Sequence, residues 1–152
     1  MEQKKINKII LEKTPLFKSL LGLMIKDGKK SLATQILKEA FIQASFLCNL
    51  PSVKISIKLA ESLLCSVETR KLKIKKTTYL VPFIISEKRK YFLISKWILT
   101  TVREDKRRVS FKQKLVEEFI LILKKNKGET ISKKNLNITQ ATKNKANIHY
   151  RW

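Results

Sequence analysis

Residues that break regular structure are scarce in this chain, which holds three glycines and three prolines. So few breakers leave it free to run mostly as helices joined by short loops. Cysteine is scarcer still. Cys48 and Cys65 stand 17 positions apart, with no second pair and no nearby histidine. That excludes a zinc site and a disulfide framework, and both are read as small buried hydrophobes. His149 is the single histidine and lies three positions from the end of the sequence. No nucleophile motif accompanies it, so a histidine-based triad is not supported, no catalytic residue, metal or cofactor is expected, and the chain reads as a non-enzyme. No run of about 18 apolar residues occurs, which argues against a membrane span. The start MEQKKINKIILEK has neither a signal peptide's apolar core nor its cleavage site, and with Glu2 and no arginine it makes a poor organelle presequence.

Acids are the other shortage. Twelve Asp and Glu face 34 Lys and Arg, a formal net charge of +22 over 152 residues. Such a surplus repels itself until a polyanion or counter-ions screen it. Nucleic acid does so with salt-sensitive affinity, because each neutralised phosphate releases condensed ions. An anionic membrane would require a long amphipathic helix with a wide apolar face or a second anchor, and neither stands out; no membrane partner is expected. With 43% hydrophobic residues the chain can fold, and its length fits a single domain. The bias toward Lys, Ile and Asn, whose codons are AT-rich, hints at synthesis inside an organelle.

The few breakers mark out the elements. Pro15 opens a first helix to about residue 27, with Leu16, Leu20, Leu23 and Met24 at helical spacing and Gly28 ending it. Ser31 is expected to cap a second helix to about 48, striped by Leu32, Ile36, Leu37, Ala40, Phe41, Ala44 and Leu47. After Asn49-Leu50-Pro51, a third helix over 52–65 offers Val53, Ile57, Ala60, Leu63 and Leu64 as its apolar side, with Ile55 off it. The pattern then changes to V-E-T-R-K-L-K-I over 67–74 and T-Y-L-V-P-F-I-I over 78–85, a β-hairpin around Lys75-Lys76-Thr77. Pro82 requires that its strand be an edge or carry a bulge. A fourth helix over 88–104 presents Tyr91, Ile94, Trp97, Ile98 and Val102. A fifth over 110–125 presents Phe111, Leu115, Phe119, Ile122 and Leu123, with Gly128 stopping it. The polar remainder holds one weak helix between about 131 and 147. The expected fold is mainly α: a single domain of about six helices with a protruding basic β-hairpin at 67–86, a basic N-terminal extension at 1–14 and a basic tail at 129–152.

The chemistry concentrates on the hairpin. Arg70, Lys71, Lys73, Lys75, Lys76, Lys88, Arg89 and Lys90 crowd in and just after it, against Glu68 and Glu87 alone. Alternation along a strand puts Lys71, Lys73 and Lys75 on one face, and a basic ribbon fits a nucleic-acid groove. A solvated edge guarded by lysines is the bland alternative. The loop Asp27-Gly28-Lys29-Lys30-Ser31 enters a helix N-terminus that attracts phosphate, although it lacks the spacing of a nucleotide-hydrolysing loop. Further clusters occur at Lys106-Arg107-Arg108 and at Lys124, Lys125 and Lys127, and each also fits a solvated helix end. Trp97 and Phe119 fall on core stripes. Tyr150 and Trp152, in the basic tail, suit stacking on RNA bases, and His149 a phosphate or base contact. Two other classes share the charge. A DNA-binding architectural protein would need a recognition helix or groove wedge, and an RNA-processing enzyme would need a carboxylate pair or metal cluster.

Several of these segments carry a resemblance. Leu23-Met24-Ile25-Lys26-Asp27-Gly28-Lys29-Lys30-Ser31, Thr78-Tyr79-Leu80-Val81-Pro82, Trp97-Ile98, Asn144-Lys145-Ala146 and His149-Tyr150-Arg151-Trp152 resemble small-subunit ribosomal protein number seven, in order, from about residue 16 to the end. The resemblance implies a helical domain with a protruding hairpin, bound to the 3′ major domain of small-subunit rRNA and nucleating assembly of the head in translation. It implies other head and platform proteins as partners, platform protein number eleven among them, and a hairpin near exit-site tRNA and the mRNA path. By carry-over the RNA-facing residues are Lys29, Lys30, Arg70, Lys71, Lys73, Lys75, Lys76, Arg89, Lys90, Lys96, Arg103, Lys145, His149, Tyr150, Arg151 and Trp152. The sequence departs from the family pattern at three places. Lys75-Lys76 replace a Gly-Gly, so the tip is expected to turn differently. The N-terminal arm is reduced to Lys4, Lys5, Lys8 and Lys13, and the basic run after the fourth helix becomes Arg103-Glu104-Asp105-Lys106-Arg107-Arg108. Bacterial members are less lysine-rich, which favours an organellar copy, mitochondrial ahead of plastid.

Overall fold

The computed structural model describes residues 10–125 and 128–151. Among these, residues 10–13 are helical and bring Leu11 to the core, and six longer α-helices surround it: α1 Pro15–Met24, α2 Lys30–Cys48, α3 Ser52–Leu63, α4 Glu87–Glu104, α5 Phe111–Ile120 and α6 Glu129–Lys143. An antiparallel hairpin, β1 Val67–Ile74 and β2 Thr77–Ile84, is inserted between α3 and α4. A π-helical turn, Leu121–Lys125, extends α5, and a 3-10 segment, Lys145–Tyr150, follows α6. The mainly α architecture with a hairpin is as the sequence predicts.

Three phenylalanines from three helices meet at the centre. Phe41 of α2 lies 6.0 Å from Phe17 of α1 and 4.9 Å from Phe119 of α5, ring centre to ring centre, and all three are buried. Leu20, Leu37, Ile55, Leu59, Ile94, Ile98 and Leu115 close around them. α1 lies along α4, tied by the Ser19 hydroxyl to the Tyr91 carbonyl at 3.2 Å and by Arg103 Nη2 to the Leu23 carbonyl at 3.0 Å. Ring pairs at these separations add to the area term.

Several local expectations are corrected. α1 stops at Met24 rather than near 27, because Ile25 turns out of the helix and Asp27 and Gly28 adopt positive φ in succession. Ser31 does not cap α2; the helix starts at Lys30, and its cap residue Lys29 makes no side-chain capping bond. The α2 stripe buries Leu37, Ala40, Phe41 and Ala44 but leaves its ends, Leu32 and Leu47, exposed. On α3 the buried face is rotated: Ile55, Ser56, Leu59 and Leu63 point inward, while Ile57 is 50% and Leu64 43% exposed. Cys65 is buried, but Cys48 only half so. α5 begins as expected at Ser110, whose Oγ accepts the Gln113 N–H at 3.3 Å. Residues 126 and 127, between the end of α5 and Gly128, lie outside the described residues.

Pro82 sits in β2 without a bulge, since the register runs unbroken from Val67 opposite Ile84 to Ile74 opposite Thr77. A ladder bond joins Ile85 N–H to the Ser66 carbonyl. Antiparallel pairs alternate between bonded and non-bonded, so the even positions of β1 are bonded and Thr69 opposite Pro82 is not. The missing proline donor therefore faces the outer edge, where it costs no ladder bond. Phe41→Ala should destabilise the protein by about 3–5 kcal/mol through the cavity left between Phe17 and Phe119, read as a lowered urea midpoint with unchanged slope.

Candidate nucleic-acid interface

A lone two-stranded ribbon is marginal in water, so the surroundings of the hairpin decide whether it is a defined surface. Its outer edges are closed by side chains from the C-terminal part of the chain. Asn137 of α6 donates Nδ2 to the outward Val67 carbonyl of β1 at 2.7 Å and reaches Cys65 Sγ at 3.4 Å. On β2, Asn147 donates to the Leu80 carbonyl at 3.1 Å and Arg151 to the Pro82 carbonyl. Both acceptors lie at non-bonded ladder positions, whose carbonyls point away from the partner strand. Asn137 and Asn147 were not singled out as site residues, because a polar residue about 70 positions from its partner leaves no local signal.

α6 is itself fixed at its start. The Glu118 carboxylate of α5 is buried and accepts from Thr130 Oγ1 at 2.6 Å and Thr130 N–H at 3.4 Å. A carboxylate at a helix N-terminus satisfies free amides and favours the dipole. Gly128 stands over that carboxylate at φ 140°, and a Cβ there would lie 3.2 Å from Oε1. A side chain at 128 would meet both penalties.

Glu68 joins the hairpin base to α4. Arg89 donates Nε to Oε2 at 3.0 Å and Nη2 to Oε1 at 2.6 Å, and its guanidinium lies 4.8 Å from the Phe92 ring centre. Arg70, 3.6 Å from the same carboxylate, covers Phe83 at 5.2 Å. Hydrogen bonds from Arg89 hold the Glu68 carboxyl below the usual carboxylate range, with burial opposing them.

Beyond this base the ribbon is bare and basic. Lys71, Lys73, Lys75 and Lys76 are all exposed, and none makes an ion pair with a described residue. Lys71 and Lys73 share a face, opposite Leu80 and Thr78. Lys75 leaves that alternation: it stands in the two-residue turn at φ 54°, and the Thr77 hydroxyl closes the turn on the Ile74 carbonyl at 3.1 Å. Where glycine would be relaxed, a lysine is strained. The lysine turn is accommodated with the pairing unbroken up to Ile74 opposite Thr77.

The other sequence candidates fall in two regions. Lys145, His149, Tyr150 and Arg151 lie against the hairpin, with the Tyr150 ring 4.9 Å from Tyr79 and 3.9 Å from His149. Tyr150 and Arg151 are thus engaged with the hairpin, and Tyr79, which sequence reasoning left out of the site, is part of it. His149 Nδ1 lies 2.8 Å from the Ala146 carbonyl. Arg89 and Lys90 stand at the hairpin end of α4, and Lys96 is exposed midway along it. Arg103 is fourteen residues beyond Arg89, about 21 Å at helical rise. There it donates to the Leu23 carbonyl near the end of α1, six residues before Lys29, which with Lys30 is exposed. Trp152 lies outside the described residues. Of the cluster at 106–108, Arg107 is consumed internally, pairing with Asp105 and Glu117 at 2.6 Å each. Its hydrogen bonds hold the Asp105 carboxyl at about 2.

The Glu68 carboxylate is favoured in the folded state, so the stability it contributes is complete above the ordinary carboxyl pKa of about 4.3 and fades as pH falls through its lowered native value. Glu68→Gln should loosen the hairpin base by about 1 kcal/mol at neutral pH and flatten this acid dependence. Exchange of the ladder-bonded amides of Glu68, Arg70, Val81 and Phe83, followed from about pH 7 to about pH 3, checks both.

Comparison with known proteins gives the family. The family model described as "Ribosomal protein S7p/S5e" matches residues 1–145. The small ribosomal subunit protein uS7 of Hydrogenobaculum sp. is 31% identical over 151 residues, 97% of this chain and 90% of that protein. The protein of that name from Thermotoga maritima is 31% identical, over 90% of this chain and 87% of its own. That from Borrelia garinii is 33% identical, over 85% and 82%. A helical body carrying a basic hairpin, matched by the family model over nearly its whole length, identifies the chain as a member of the ribosomal protein S7p/S5e family.

Proposed function

We propose that this chain binds the 3′ major domain of small-subunit rRNA with its hairpin as the leading surface, and so nucleates assembly of the head. As a family member it is a structural protein of the small ribosomal subunit, acting in translation with rRNA and other ribosomal proteins as partners. The observation that carries the finer reading is a ribbon pinned along both edges at its base and bare at its tip, with four exposed lysines. Pinning spends no RNA-binding energy on ordering the ribbon, and lysines that pair with no described residue are available to neutralise phosphates.

The hairpin at 67–86 and the tail at 129–152 work in this reading as parts of one domain, and the stretch at 1–14 is tied to the same core through the buried Leu11. Lys29, Lys30 and Arg103 form a second rRNA contact away from the hairpin, and Lys96 adds a further one midway along α4. Lys90, Lys145, His149, Tyr150 and Trp152 extend the hairpin surface, with stacking added to charge. Arg70, Arg89 and Arg151 contribute chiefly by holding the ribbon in place. The tip lies near exit-site tRNA and the mRNA path, with platform protein number eleven adjoining. The Lys, Ile and Asn bias supports an organellar small subunit, mitochondrial ahead of plastid, within a family whose matched relatives here are bacterial.

Neutralising about 6–10 phosphates should cost three to five decades of affinity between about 50 and 200 mM salt. A filter-binding titration on a head-domain rRNA fragment measures this, and a flat response would refute the reading. Reversing Lys71, Lys73 and Lys75 to Glu should weaken that binding and reduce the salt slope by about 3, with the helical circular dichroism unchanged. Unaltered affinity would move the RNA surface elsewhere.

A further inference from the structure

The outward face of α3 is apolar at alternating four- and three-residue spacing: Val53, Ile57, Ala60 and Leu64. Ile55, Leu59 and Leu63 fill the interior and Val53 and Ala60 pack against its margin, which leaves Ile57 and Leu64 turned outward. Ile57 and Leu64 are 50% and 43% exposed, and Val53 and Ala60 are half-covered. The stripe borders a groove of about 260 Å³, closed on its far bank by Pro15, Leu16 and Tyr91. Leu64 also lines a second groove of about 490 Å³, between the hairpin base and α6, where Val67, Pro82, Ile138 and Ile148 continue the apolar floor. The two therefore form one track.

We infer that this track seats an amphipathic, acidic helix of a neighbouring protein in the small subunit. Spacing of four, three and four is the a/d seam of a helix pair, whose knobs are filled by apolar residues at the same spacing on the partner. The rim selects the sign of charge. Lys54 and Lys58 flank the stripe on α3, and Lys134, Lys145 and Arg151 line the second groove, against Glu61 as the one acid among the lining residues of the two grooves. A floor of aliphatic side chains disfavours RNA, which would use bare cations and aromatic platforms instead. The inference goes beyond the rRNA reading: it rests on the outer side of α3 and meets the hairpin surface only at Lys145 and Arg151.

The test introduces photo-crosslinking benzoylphenylalanine at Ile57 or at Leu64 in assembled small subunits. Both positions should crosslink to one protein, within a negatively charged segment that has apolar residues three and four apart, with the two adducts about 10 Å or two turns apart. Crosslinks to rRNA, to residues 1–9, to a second copy of the chain or to a basic segment would overturn the inference, as would none. The double variant Ile57→Glu with Leu64→Glu, at solvent-facing positions, should keep the helical spectrum and the salt-dependent rRNA affinity while the crosslinked protein's occupancy in subunits falls about tenfold or more. Unchanged occupancy would refute it, as would loss of rRNA affinity in a folded variant. A flat salt response of the unmodified chain would instead count against the rRNA reading alone.

Discussion

Two open edges are the liability of any two-stranded ribbon, and closing them governs this molecule. Each edge exposes backbone carbonyls and amides that a longer sheet would pair. Here Asn137, Asn147 and Arg151 supply donors to Val67, Leu80 and Pro82. Those donors depend on α6 and the 3-10 segment being correctly placed, and α6 depends on Glu118 receiving Thr130. The path runs from the core helix α5, through a buried carboxylate, to the ribbon. Residues whose polarity and charge suggest a solvated tail are thereby drawn into the hairpin's support.

The same logic sorts the cations. A guanidinium that forms two parallel bonds to a carboxylate is fixed in place, as Arg89 is on Glu68 and Arg107 on Asp105. The lysines at the tip have no such engagement among the described residues, and their short-range repulsion is unrelieved until an anion arrives. With a net charge of +22, the fold spends its few carboxylates where geometry is needed and leaves the tip to the partner. Glu68 and Glu118 are the clearest cases, one holding the ribbon to α4 and the other holding α6 to α5.

α3 shows how a correct helix can present an unexpected face. Two apolar stripes run along it, one through Ile55, Leu59 and Leu63 and one through Val53, Ile57, Ala60 and Leu64. Helical periodicity weighs them almost equally. The interior took the stripe of larger side chains and left Ile57 and Leu64 of the other outside, which is why the buried set is offset from the sequence expectation by a fraction of a turn.

The sequence by itself determined the charge excess, the helices and the hairpin, because each is written in composition or in local periodicity. It also placed the basic residues of the ribbon at Arg70, Lys71, Lys73, Lys75 and Lys76. Tertiary structure alone decided which of those cations are free, which face of α3 is buried, where Pro82 falls in the ladder and what closes the ribbon's edges. These outcomes rest on contacts between residues about 70 positions apart, such as Asn137 with Val67 and Asn147 with Leu80. Such pairings arise only when packing brings distant segments together, and neither helical nor strand periodicity encodes them.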